Sequence, residues 1–118
     1  MKKIYETWEE FNKVVLSFTS RIINSKLKFD GIYALPRGGL PLGVALSHQL
    51  NLPLLLYPTE NTLVVDDISD TGKTLENIKH KKIVTWYTTP WTTVQPYWYF
   101  EIKNRKDSWI MFPWEEIK

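Results

Sequence analysis

Cysteine is absent from the 118-residue sequence, which excludes disulfides, thiol nucleophiles and cysteine-ligated zinc. No apolar run approaches the ~20 residues that span a bilayer, and the N-terminus carries no hydrophobic signal segment. Histidine occurs only twice, at His48 and His80. Neither has a partner at metal-binding spacing, so both read as surface or helix residues. An excess of charge of either sign is missing: 15 Lys and Arg against 13 Asp and Glu leave a net +2, no basis for a general nucleic-acid surface. The cluster Lys79-His80-Lys81-Lys82 is too brief to make one and reads as solvated surface. These absences give the expectation of a cytoplasmic protein with neither membrane nor nucleic acid as partner. No repeat, low-complexity tract or linker divides the chain, which points to a single domain over residues 1–118.

What is present is an alternation of strand and helix signals. Thr7-Trp-Glu-Glu10 has the form of a capping box, with Thr7 as N-cap and Glu10 reaching back. Trp8, Phe11, Val14, Val15, Phe18 and Ile22 follow at helical spacing. Phe29 to Leu35 reads as a strand, Leu40 to Leu50 as a helix, and Leu54 to Tyr57 as a second strand. Leu63 to Asp67 is a third, Leu75 to about Lys79 a short helix, and Lys82 to Trp86 and Tyr97 to Ile102 later strands. The expectation is an α/β fold, a mostly parallel twisted sheet flanked by helices.

The stretch from Thr62 to Leu75 carries the chemistry. Leu63, Val64 and Val65 suit a strand buried on both faces, and Asp66 and Asp67 stand at its C-terminal end, where open α/β sheets bind ligands. Thr71 and Thr74 offer hydroxyls, Gly72 admits close backbone approach, and a helix starting near Thr74 aims N–H groups at an anion. Acidic groups repel phosphate, so something must lie between. Ribose hydroxyls and Mg²⁺ fill that role, with the aspartates accepting from a vicinal diol and one of them, Asp66 or Asp67, helping to hold the cation. Gly72-Lys73-Thr74 also matches the end of a nucleoside-triphosphate loop, but the first glycine of that motif would fall on Asp67.

Val64-Val-Asp-Asp-Ile-Ser-Asp-Thr-Gly-Lys-Thr74 resembles the phosphoribosyl-diphosphate motif of type I phosphoribosyltransferases. Gly31-Ile-Tyr-Ala-Leu-Pro-Arg-Gly-Gly-Leu-Pro41 is similar to the first strand and pyrophosphate loop of that family. Asp107-Ser-Trp-Ile-Met-Phe-Pro-Trp-Glu115 resembles the C-terminal segment of its xanthine-guanine branch. The resemblance implies Mg²⁺-dependent transfer of 5-phosphoribosyl from phosphoribosyl diphosphate to a purine, in purine salvage. Arg37 and Gly38 would hold diphosphate, Asp66 and Asp67 the ribose, and Thr71, Gly72, Lys73 and Thr74 the 5-phosphate. Asp70 would take the proton of the incoming base, its alternative being a turn residue bonding its own backbone. Trp109 would stack on the purine, while Ile110 and Thr89 would meet its polar edge.

Two departures qualify the resemblance. The branch places a lysine before the proline that follows its fourth main strand, where this chain has Thr88-Thr89-Pro90. Adenine or a non-purine acceptor therefore stays open. The long mobile loop between the second and third strands is reduced to Pro58-Thr-Glu-Asn-Thr62, so the chain is either a minimal enzyme with an open site or a binding module sensing phosphoribosyl diphosphate or a nucleotide. Part of the aromatic crowd of Trp86, Tyr87, Trp91, Tyr97, Trp98, Tyr99 and Phe100 is expected to cover a subunit contact, in a homodimer or homotetramer.

Overall fold

The structure is a computed structural model that describes residues 1–115. Four parallel strands form the main sheet in the order β2-β3-β4-β5: β2 (Gly31–Ala34), β3 (Thr62–Ser69), β4 (Lys82–Thr88) and β5 (Trp98–Ile102). A second, two-stranded parallel sheet pairs β1 (Lys2–Tyr5) with β6 (Ser108–Met111), joining the two ends of the described chain. All registers are parallel, so each strand of the main sheet delivers its C-terminal end to one edge.

Helix α1 (Trp8–Ser25) starts where the sequence places it: the Thr7 hydroxyl accepts from the Glu10 backbone N–H at 3.1 Å. Only half of the capping box forms, because the Glu10 carboxylate turns outward to Lys13 at 3.3 Å. Val14, Val15, Phe18 and Ile22 are buried, whereas Trp8 is exposed. Helix α2 (Leu40–Leu50) has the bounds read from sequence, with Pro41 in its first turn, where a missing N–H costs nothing. Both helices end on a left-handed residue, Lys26 and Asn51.

The core lies on both faces of the main sheet. On one, Val14 and Phe18 of α1 and Leu42 and Leu46 of α2 pack with Ile32, Leu63, Val65, Val84 and Trp86. On the other, Val64 and Ile83 meet Leu75 and Val94. Each such fully buried apolar side chain stabilises the fold by about 1.5–3 kcal/mol. Among the described residues no helix is long and apolar enough to cross a membrane.

Two expectations change. Leu54–Tyr57 is not a strand: beyond an isolated bridge between Leu54 and Ile32 it leaves the sheet, and Leu56 is 92% exposed. β2 is held there, among the described residues, by two backbone bonds, Ile32 N–H to Pro53 O and Leu55 N–H to Ile32 O. The short helix after β3 is a 3-10 helix over Lys73–Ile78. Of the aromatic crowd, Trp86, Tyr87 and Trp98 are buried and serve the core, whereas Tyr97 is 54% exposed.

Candidate active site

The tip of β3 presents two neighbouring carboxylates. Asp66 Oδ1 accepts from the Asp67 backbone N–H at 2.9 Å, and Asp67 Oδ1 accepts from Ile68 N–H at 2.8 Å. Burial first, then the charge of Asp67, pushes Asp66 up to about 8. Burial raises Asp67 as well, with the Glu115 carboxylate adding to the effect. Two acids in one desolvated place hold a proton between them near neutral pH. A diol or a divalent cation would take its place.

The turn over Pro36–Gly39 lies directly on this pair. Leu35 N–H donates to Val65 O and Gly39 N–H to Leu35 O, both at 2.9 Å, folding the turn across the end of β3. A Cβ on Gly38 would overlap the Asp67 carboxylate, so any side chain here would displace that acid from its place. Arg37 is exposed on the turn and forms no ion pair among the described residues. Its planar fork is free for a diphosphate.

Opposite stands the turn Asp70–Gly72. Gly72 has φ +89°, a left-handed conformation that glycine adopts without strain. The turn is fixed by Thr93, whose backbone N–H donates to Thr71 O at 3.0 Å. Asp70 is held from three directions: Trp91 Nε1 donates to Oδ1 at 2.9 Å, Lys103 Nζ to Oδ2 at 3.0 Å, and Thr89 Oγ1 to the backbone carbonyl at 2.5 Å. Its side chain is still 38% exposed.

One cleft of about 940 Å³ collects Arg37, Gly38, Asp66, Asp67, Asp70, Thr71, Gly72 and Thr74, with Trp114 and Glu115 closing a further wall. No family model matches the chain. A curated xanthine-guanine phosphoribosyltransferase of Idiomarina loihiensis is 25% identical, over 97% of this chain and 88% of its own length. The crystal structure of a purine phosphoribosyltransferase from Pyrococcus horikoshii is 31% identical, with a TM-score of 0.83 over 100% of this chain and 97% of that one. The chain belongs to the type I purine phosphoribosyltransferases, in the xanthine-guanine branch. A xanthine-guanine-hypoxanthine phosphoribosyltransferase of Helicobacter pylori, 18% identical with a TM-score of 0.81 over 96% of this chain and 94% of its own, shares the fold.

Within this phosphoribosyltransferase the residues expected to meet phosphoribosyl diphosphate converge on the cleft, except Lys73, which is exposed beside it. The expected base residues do not line that cleft. Ser108 and Ile110 are buried, so strand alternation turns Trp109 to the opposite face of β6, where it is 51% exposed. Ile110 packs in the core, and the Thr89 hydroxyl is taken up by Asp70. The C-terminal segment instead enters the cleft through Trp114, whose ring stacks on Phe112 at 5.0 Å and lies 5.8 Å from Phe11.

Sequence reasoning also missed Trp91 and Lys103. Both reach Asp70 from outside the motif, 21 and 33 residues away, and only topology joins them. Among the described residues no group of three or more His, Cys, Asp or Glu side chains could hold a metal ion. The carboxylate pair fits Mg²⁺, a cation commonly bound by one or two carboxylates while substrate phosphates and water complete its octahedron.

Proposed function

We propose that the chain catalyses Mg²⁺-dependent transfer of the 5-phosphoribosyl group from phosphoribosyl diphosphate to a 6-oxopurine, guanine, xanthine or hypoxanthine, in purine salvage. The observation that carries this reading is the order of groups across one cleft: a free guanidinium, a desolvated acid pair, and a glycine-threonine turn. Anion, diol and anion sites in that sequence match diphosphate, ribose and 5-phosphate.

Thr71, Gly72 and Thr74 bind the 5-phosphate, and Asp66 and Asp67 accept from the ribose hydroxyls. Asp67 would also hold Mg²⁺, which supplies charge neutralisation at the leaving diphosphate. Arg37 stabilises the same developing charge, while the amides around Gly38 meet its oxygens. As the C1–O bond to diphosphate breaks and the bond from C1 to the base nitrogen forms, Asp70 accepts the proton the base loses. Trp91 and Lys103 already orient that carboxylate, so it needs no rearrangement to act.

Incubation with phosphoribosyl diphosphate, Mg²⁺ and a panel of bases, read by diphosphate release and mass spectrometry, tests the proposal. Product from oxopurines is expected, and product from a pyrimidine alone would sink it. Asp70→Asn should lower kcat by about 10²–10⁴-fold. The short connection into β3 favours a second reading, a weakly catalytic module that binds phosphoribosyl diphosphate. Calorimetry showing Mg²⁺-dependent binding without diphosphate release from any base would select it.

A further inference from the structure

The cleft is buried at the acid pair and open at Asp70. Asp66 is 8% exposed, whereas the side chain of Asp70 is 38% exposed. Each Asp70 oxygen accepts one bond, from Trp91 Nε1 at 2.9 Å or Lys103 Nζ at 3.0 Å, and can accept another. An exposed carboxylate is hydrated, so water stands beside the group that takes a proton in the transfer reaction. Three stretches of chain line the cleft, and among the described residues Trp114 is the one aromatic ring in its wall. Phe112 covers one face of that ring, the two planes lying 5° apart with their centres at 5.0 Å. Trp109 points to the other face of β6 and Ile110 into the core. Among the described residues, no pair of walls sandwiches a planar base against Asp70 and keeps water from it. The groups that release diphosphate, by contrast, sit on the turn after β2 and work whether or not a base is present.

We propose that the chain has a second activity, hydrolysis of phosphoribosyl diphosphate to ribose 5-phosphate and diphosphate when no base is bound. The inference rests on the reading of the cleft as a phosphoribosyl diphosphate site, and it needs no acceptor base. The C1–O bond to diphosphate breaks with its electron pair leaving on the diphosphate oxygen. A water oxygen forms the new bond to C1, one of its protons goes to Asp70, and the other stays on the C1 hydroxyl. Shutting water out is what prevents this reaction at a cationic sugar centre, and an exposed Asp70 leaves water in place.

Wild type and Asp70→Asn are incubated with phosphoribosyl diphosphate and Mg²⁺, without a base, in water enriched in heavy oxygen, and the products are read by mass spectrometry. Wild type should form ribose 5-phosphate and diphosphate at least about 10²-fold faster than substrate and Mg²⁺ alone, and Asp70→Asn should fall toward that background. The diphosphate should carry no label, since the bond broken is C1–O. With methanol as cosolvent, wild type should also form methyl ribofuranoside 5-phosphate, a readout of a small nucleophile at C1 that requires no variant. An oxopurine should suppress ribose 5-phosphate by taking the place of water. A background rate without base, while transfer to a base proceeds, overturns the inference and leaves the transfer reading standing. Labelled diphosphate, or inorganic phosphate instead of it, puts the attack at phosphorus and also overturns the inference. Ribose 5-phosphate without nucleotide from any base would uphold the hydrolysis and overturn the transfer reading, and no turnover under either condition would overturn both.

Discussion

Asp66 is a place where function works against stability. Its carboxyl is 8% exposed and raised to about 8, first by burial and then by the charge of Asp67. A group whose folded pKa lies above its unfolded value contributes stability that is complete below the unfolded value, near 4, and is lost as pH rises through the folded one. The metal-free protein should therefore lose stability between about pH 4 and pH 8. Asp66→Asn removes the ionisation, so above pH 8 it should unfold later than wild type by roughly 1–3 kcal/mol, while losing transfer activity. Urea unfolding across pH checks both slope and crossing point. The residues of this pair were legible because the chemistry is contiguous: a strand, two acids and a glycine turn within a dozen positions. Lys103 was not legible, since an isolated lysine near the end of a strand looks solvated until the fold brings Asp70 to it.

At the scale of elements, the junction between β1 and α1 is tied to the main sheet by a polar contact. Tyr87 Oη on β4 donates to Glu6 at 2.5 Å and reaches Glu101 of β5 at 3.2 Å. Its single proton lies on the shorter contact, to Glu6. Burial, opposed by the Tyr87 bond and reinforced by the Glu101 charge, raises Glu6 above the ordinary carboxylate range. The protonated form of Glu6 therefore favours folding at acid pH, and that contribution fades as pH rises through the raised value. Tyr87→Phe removes the donor from Glu6. It should cost about 1–2 kcal/mol near neutrality and less near pH 5, measured by urea unfolding at the two pH values. Nothing in the sequence announced this contact, because the three residues lie on one connection and two separate strands. Helix α2, by contrast, was readable to the residue: Pro41 opens it and Asn51 closes it in a left-handed turn.

For the whole molecule, the exposed apolar surface bears on assembly. Leu54, Leu56 and Tyr57 are 46%, 92% and 70% exposed along the margin of β2. A run of this composition signals burial, and the sequence reading took it for a strand of the sheet. The chain itself supplies no covering element among the described residues. We expect the covering partner to be a second copy. Light scattering at micromolar concentration should then give at least a dimer for wild type and a smaller mass for Leu56→Glu, and a strict monomer for wild type would refute this.

The pairing of β1 with β6 also has a bearing on biogenesis. A nascent chain can lay down all four strands of the main sheet once Ile102 has left the ribosome. The cleft wall carrying Trp114 and Glu115 waits for the residues that follow β6. Until they emerge, β1 has no strand beside it and the ring of Trp86 lacks the cover of Phe112. Synthesis should thus yield a short-lived sticky intermediate in which the sugar-phosphate groove exists before its enclosure does.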